Sequence, residues 1–305
     1  MVNEMDYKRY NTLDSYLKRR FSSKVAKISL NAGFSCPNIK NNHGCIFCSN
    51  GSSDFGGNKN DDLITQFYSV KNVIDKKWKN LKYIAYFQAN TNTYADVFVL
   101  KEKYESVLKI KDVVGLSVAT RSDAINDDTL LYLKELNKRT FLTVELGLQS
   151  IKSETLKLIN RGHDLANFTE MVKKLKENNI FTVVHIINGL PNETKEDMLN
   201  TVRYLNKLKI DGIKIHMLCV LKDTPLEKYY NLHNFHILTK EEYIDIVCSQ
   251  LELLNKDIVI ERLTADPNPD KLIAPTWTLK KFCVLNDIDK EMKKRDSYQG
   301  KYQEE

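Results

Sequence analysis

Several things this 305-residue chain lacks narrow what it can be. It has no run of about 18 apolar residues, so no membrane span is expected. Its first twenty residues, MVNEMDYKRYNTLDSYLKRR, contain no apolar stretch of the secretory kind, which points to the cytoplasm. Proline is scarce, at six residues, and there is neither a low-complexity linker nor an internal repeat, so solenoids and tethered modules are excluded. Six cysteines in a reducing compartment do not make a disulfide framework.

What is present is a foldable, soluble composition, 42% hydrophobic and 28% charged. The net charge is +6, with basic clusters at Lys18-Arg19-Arg20, Lys280-Lys281 and Lys293-Lys294-Arg295. Such clusters can track phosphates, although charge alone favours a solvated lysine-rich surface. Strand-like runs at 24–32, 83–90, 113–120, 140–148, 180–188 and 212–220 alternate with amphipathic helical stretches. That alternation predicts βα units and a parallel sheet.

Strand parity selects among α/β architectures. Leu142, Val144, Leu146 and Leu148 point one way, and Thr143, Glu145, Gly147 and Gln149 the other. Ser117 and Arg121 share a polar face in the third run, as do Lys214 and His216 in the sixth. A parallel strand buried on both faces would be apolar throughout. One polar face therefore predicts a wide lumen that holds a ligand, as in a partial (β/α)6 TIM-like barrel whose chemistry sits at the carboxyl ends of the strands. The expected layout is a basic helical segment over 1–22, the barrel core over 23–222, and a C-terminal α/β extension over 223–305 that closes the barrel.

Immediately after the first run comes Cys36-Pro-Asn-Ile-Lys-Asn-Asn-His-Gly-Cys45-Ile-Phe-Cys48. Thiolates suit zinc or iron–sulfur clusters. Electron-transfer clusters ordinarily take four cysteines. Three leave one iron of a [4Fe–4S] cluster open, and S-adenosylmethionine (SAM) can chelate such an iron through its amino and carboxylate groups. A Cys3His zinc site with His43 is the competing reading, but His43 and Cys45 are one residue apart, a tight bite against a usual spacing of roughly two to four residues. Cys219, Cys248 and Cys283 stand singly in apolar segments and read as core residues.

The segments GFSCPN, HGCIFCSNGSSDFGG, QANTNTYA, ATRSD, ELGLQS, NRGHD and HIINGLP occur in that order. Together they resemble the radical SAM family typified by the bacterial YhcC and YtqA proteins, related to the catalytic subunit of Elongator. The resemblance spans about residues 7 to 290. Asn90, Ser122 and Asn192 depart from the family pattern, and none is a proposed cluster ligand. The resemblance implies that Cys36, Cys45 and Cys48 hold a [4Fe–4S] cluster and that Phe47 packs beside the SAM adenine. It implies that Gln88, Asn92 and Thr93 receive the methionyl amino group. Ser117 and Arg121 would line the lumen, and Glu145, Gln149 and Arg161 would contact the SAM ribose and carboxylate. Asn92 and Gln88 could instead brace a turn, and Arg161 could make an ion pair. His185, Lys214 and His216 are the substrate-side catalytic candidates, with His163 nearby and Arg262, Thr264 and Asp266 on a late strand.

The resemblance also implies a function. An electron from a flavodoxin or ferredoxin would let the enzyme cleave SAM to a 5′-deoxyadenosyl radical. The substrate implied is a tRNA wobble uridine, with carboxymethylaminomethyl-uridine converted to aminomethyl-uridine in an anticodon stem-loop gripped by the basic termini. A radical SAM enzyme acting on a small metabolite or peptide, and a non-catalytic zinc- or cluster-containing nucleic-acid-binding protein, are the alternatives.

Overall fold

A computed structural model describes residues 8–48 and 57–303. The first seven residues of the expected N-terminal segment and most of SNGSSDFGG lie outside them. The strands are β1 (Val25–Leu30), β2 (Lys82–Phe87), β3 (Val113–Thr120), β4 (Phe141–Gln149), β5 (Phe181–Asn188), β6 (Gly212–Met217), β7 (Val220–Leu221), β8 (Val259–Arg262) and β9 (Leu272–Ala274). The helices are α1 (Leu13–Phe21), α2 (Pro37–Asn42), α3 (Leu63–Lys77), α4 (Val97–Leu108), α5 (Asp127–Asn137), α6 (Ser153–Leu158), α7 (Leu165–Glu177), α8 (Lys195–Lys207), α9 (Pro225–His233), α10 (Lys240–Leu253) and α11 (Lys281–Lys294).

Seven strands form one parallel sheet in the order β1-β2-β3-β4-β5-β6-β8, an open half-barrel with helices outside. The architecture is the expected α/β partial barrel with one strand more than the six predicted. The seventh, β8, is too short for its alternation to be read. It ends at Arg262, so Thr264 and Asp266 lie beyond the late strand on which they were expected. The run expected to end at residue 220 breaks at Met217, and Val220–Leu221 turns away to pair antiparallel with β9.

The helices begin where side chains satisfy the orphan N–H groups of their first turns. Asp62, Asp96, Asn126 and Asp164 cap α3, α4, α5 and α7, and Thr194 and Thr239 form capping boxes on α8 and α10. The main core lies between these helices and the outer sheet face, where Leu142, Val144, Leu146 and Leu148 are fully buried.

The inner face is a polar layer with one residue from each of the seven strands of this sheet: Lys27, Tyr86, Ser117, Glu145, His185, Lys214 and Glu261. The side chains of Glu145 and Glu261 are 0% and 1% exposed, so each carboxylate needs a partner. Lys27 reaches Glu145 at 3.0 Å and Glu261 at 2.7 Å, and Lys214 bonds Glu145 and lies 3.7 Å from Glu261. The Lys27–Glu261 pair joins the two edge strands across the lumen. At the amino ends of the strands α1 covers the same seam, with its N-cap Thr12 bridging Ile260 in β8. Burial alone would raise Glu145, but the Lys214 and Lys27 ammoniums hold it well below the usual carboxylate range.

Removing one partner of this square leaves a buried charge uncompensated. Lys27→Met should lower the unfolding free energy by about 3 kcal/mol in urea, and adding Glu261→Leu should recover part of the loss. Because Glu145 is depressed in the folded state, the stability it contributes is complete above its ordinary value of about 4.3. Urea titrations should show that contribution disappearing as pH falls through the lower folded value.

Candidate active site

The strand ends carry a cavity of about 220 Å³ at the carboxyl side of the sheet, with Cys36, Cys45 and Cys48 in its wall. Cys36 precedes Pro37 at the first turn of α2, where proline's missing N–H costs nothing. A short turn, with the Cys48 N–H donating to the Cys45 carbonyl at 3.0 Å, presents the last two thiols together. The loop is stitched down from both sides. Ile46 N–H donates to the Ile159 carbonyl, Leu226 N–H to the Ile46 carbonyl, and Asn160 Nδ2 to the Gly44 carbonyl. Asn38 Nδ2 donates to the Asn160 carbonyl at 2.8 Å and lies 3.5 Å from Cys45 Sγ.

His43 takes no part. It is exposed, at the left-handed C-cap of α2, and is absent from the cavity wall. Among the described residues no group of three or more His, Cys, Asp or Glu side chains is already drawn together around a metal-sized point. Three thiols in one cavity wall are soft donors of the kind a [4Fe–4S] cluster would take, one fewer than an electron-transfer cluster uses. The donor set fits that group. Burial, then the neighbouring Cys45 and Cys36, push the Cys48 thiol up to about 12, a crowding that a cationic iron–sulfide core would relieve. Arg161 Nη1 lies 3.8 Å from Cys45 Sγ.

Of the predicted SAM-contact residues, Phe47, Gln88, Arg121, Glu145, Gln149 and Arg161 line the cavity, as do His185, Lys214 and His216. Gln149 sits at a register shift in β4 with φ +77°, a conformation costly for glutamine, and its Oε1 is buried without a partner. A strained residue holding out an unsatisfied acceptor fits a ligand with N–H or O–H donors. Arg161 donates through Nε and Nη2 to the Gly147 carbonyl. A Cβ at Gly147 would come within 2.9 Å of both Arg161 Nη2 and Gln149 Nε2, so a larger residue there would displace the ends of both side chains.

Three predicted contacts are placed elsewhere. Asn92 Nδ2 donates to the carbonyls of Phe87 and Ala119, and Thr93 Oγ1 bonds Thr120 Oγ1 and the Ala124 carbonyl. Both are fully buried braces of the strand ends, and Thr91 and Thr120 take their place in the cavity wall. Ser117 donates to Glu145 Oε1 at 2.6 Å, beneath the cavity. Arg121 forks onto Asp123 at 2.8 Å through both Nε and Nη2 and donates to the Arg161 carbonyl. His163 is near Asp123 in an adjoining cleft. Sequence reasoning missed Lys27, Tyr86, Glu261 and Asn38. Only the alternation of Lys27 and Tyr86 within their strands hinted at an inward face.

A second cavity of about 300 Å³ continues outward past Cys48, Gln88 and Gln149 to Met217, Cys219, Arg262 and Asn268. Asp266, beyond the end of β8, is shared by Lys281 at 2.9 Å and Arg262 at 3.5 Å. Cys219 thus borders a cavity and Cys283 is exposed, against their reading as core residues, which holds for the buried Cys248. A larger cleft, about 740 Å³, opens at the opposite end of the barrel beside Tyr16, Phe181 and Asp211, and none of the cysteines lines it. That end also holds α1. Tyr16 packs on Phe141 and Phe181, and the Arg20 guanidinium lies 4.4 Å from the Phe141 ring. The basic cluster of Lys18, Arg19 and Arg20 is therefore at the amino ends of the strands, away from the cysteines.

The profile of the Radical SAM superfamily matches residues 42–205, and that of the Radical_SAM C-terminal domain matches residues 210–294. The chain belongs to the radical SAM superfamily. Members of this superfamily use a [4Fe–4S] cluster and SAM. YtqA of Bacillus subtilis is 48% identical over 97% of this chain and 93% of its own length. A tRNA uridine(34) acetyltransferase of Methanocaldococcus infernus is 27% identical over 50% of this chain and 29% of its own. The solved structure of Methanocaldococcus infernus Elp3 superposes with a TM-score of 0.71 at 18% identity, over 91% of this chain and 64% of that one, and shares the fold.

Replacing Cys36, Cys45 or Cys48 by serine should abolish iron retention after anaerobic reconstitution, whereas His43→Ala should retain iron as the wild type does. Iron and zinc analysis of the four proteins checks this. Gly147→Ala should leave the thiols in place but displace Arg161 and Gln149, weakening SAM binding about tenfold or more as a dissociation constant, a loss of about 1.4 kcal/mol.

Proposed function

We propose that this protein is a radical SAM enzyme that modifies a tRNA wobble uridine, converting carboxymethylaminomethyl-uridine 34 to aminomethyl-uridine 34. The observation that carries the radical SAM part is the cavity at the strand ends, where three thiols meet the unsatisfied Gln149 acceptor and the Arg121 and Arg161 guanidiniums. Cys36, Cys45 and Cys48 would hold the cluster, which supplies the electron that breaks the SAM carbon–sulfur bond to give a 5′-deoxyadenosyl radical. Gln88, Gln149 and Arg161 would orient SAM, and Phe47 would cover its adenine. Asn92, Thr93 and Ser117 would act behind them by fixing the strand ends. Glu145 is saturated by its own partners and would shape the floor of the site.

Three features support an RNA substrate. A relative is named for its action on tRNA uridine 34. The outer cavity widens beyond the SAM pocket and has room for a splayed base. Near its rim Lys280 and Phe282 are exposed, Phe282 at 77%, beside the Lys281–Asp266 pair. Exposed aromatics next to cations favour single-stranded bases. The N-terminal basic cluster is not part of this reading, because α1 lies at the other end of the barrel. The layout of barrel core and closing extension, a cytoplasmic setting and a flavodoxin or ferredoxin donor complete the proposal. No helix among the described residues is long and apolar enough to cross a membrane.

Nucleoside mass spectrometry of tRNA from a deletion strain tests the substrate. Accumulated carboxymethylaminomethyl-uridine with loss of aminomethyl-uridine and its derivatives is expected. Unchanged wobble uridines would refute the tRNA reading and leave a small metabolite or peptide as the substrate class.

A further inference from the structure

His185 stands apart from the other polar residues of the lumen floor. Its Nε2 lies 2.8 Å from Glu145 Oε2. That oxygen also accepts from Tyr86 Oη at 2.9 Å and from the Lys214 ammonium, while Oε1 accepts from Lys27 at 3.0 Å and Ser117 at 2.6 Å. Five donors on one carboxylate keep it ionised, and an ionised carboxylate only accepts. The imidazole proton therefore resides on Nε2, and Nδ1 carries the lone pair. Nδ1 makes no hydrogen bond among the described residues and is not sealed from solvent, and the ring lines both the inner and the outer cavity.

The ring is kept neutral by burial. Burial, with the Lys214 ammonium on the adjacent strand, holds His185 below its ordinary value, although Glu145 and Glu261 pull the other way. The two lysines and two glutamates cancel, so the floor presents no net charge to an imidazolium formed later. His216, with its ring centroid 5.4 Å away and Arg262 nearby, is held well below its ordinary value, first by burial. Lys214 is spent on Glu145, Glu261 and Tyr86 and is not a free base.

We infer that His185 is the proton acceptor of the reaction, held in the Nε2–H tautomer by Glu145 with Nδ1 facing the substrate. The substrate class this fits has a polarised N–H or O–H next to the carbon that loses a hydrogen atom. The N–H or O–H bond breaks, its electron pair stays on the substrate heteroatom, and the proton bonds to Nδ1. The resulting imidazolium stays paired with Glu145, as the base of a carboxylate–histidine dyad does. The secondary amine of the proposed uridine is such a group. The identity of the proton donor rests on that substrate reading, whereas the tautomer does not.

Two measurements test the inference. Nitrogen-15 long-range correlation spectra of the cluster-free protein should show His185 protonated at Nε2 and bare at Nδ1 at neutral pH. The opposite tautomer, or a cationic ring at neutral pH, overturns it. His185→Gln keeps an N–H toward Glu145 but has no basic nitrogen. With an anticodon stem-loop RNA carrying carboxymethylaminomethyl-uridine, the iron-loaded variant is assayed for both 5′-deoxyadenosine and RNA product. Its product per 5′-deoxyadenosine should fall about a hundredfold. An unchanged ratio, or an equal loss of both products as a merely structural role would give, overturns the proposal. A wild type that releases 5′-deoxyadenosine but leaves the RNA unchanged overturns the substrate reading alone, and the spectra then decide His185.

Discussion

The Lys27–Glu261 contact across the lumen is the constraint on which the rest depends. A seven-stranded parallel sheet that does not close has two free edges, and here β1 and β8 are joined by a buried ion pair in the lumen and by α1 across the amino end. Buried charges are tolerated only when paired and hydrogen-bonded. The square of Lys27, Glu145, Lys214 and Glu261 meets that condition, and Tyr86, Ser117 and His185 fill the remaining lone pairs of Glu145. Each strand of this sheet gives one residue, so the polar layer acts as a floor under the cysteine loop and fixes the height at which a ligand can sit.

Above that floor the division of labour is spatial. The cysteine loop forms one wall, anchored through Asn38 and Asn160 to the segment that follows α6. Gln149 and Arg161, set by the irregularity at Gly147, form another. The imidazoles of His185 and His216 face the outer cavity. Cofactor-side and substrate-side groups thus share one void, as a short-lived radical requires if it is to meet its target before solvent.

The thiols were legible because their signal is local: three cysteines within thirteen residues after a strand mean metal whatever the distant fold does. Glu145 was legible as a polar residue in mid-strand. Lys27 and Tyr86 were not, because a lysine or tyrosine among apolar strand residues reads as solvent-facing or as ordinary core until the sheet curls. β8 offers only four residues to pattern. Asn92 and Thr93 were placed by motif on the ligand, yet amides and hydroxyls serve equally well as braces for strand ends, and here they do so. The basic N-terminal cluster was expected to help grip an anticodon stem-loop because the resemblance implied a tRNA substrate, whereas Tyr16 packing on Phe141 and Phe181 puts α1 at the end of the barrel away from the cysteines.

The central claim is that the three-thiol cavity generates a radical from SAM. Its most direct test is 5′-deoxyadenosine formation by the anaerobically reconstituted protein with SAM and a low-potential reductant. The account predicts release of 5′-deoxyadenosine and methionine that depends on Cys36, Cys45 and Cys48. An iron-loaded wild type that binds SAM and releases none would contradict it.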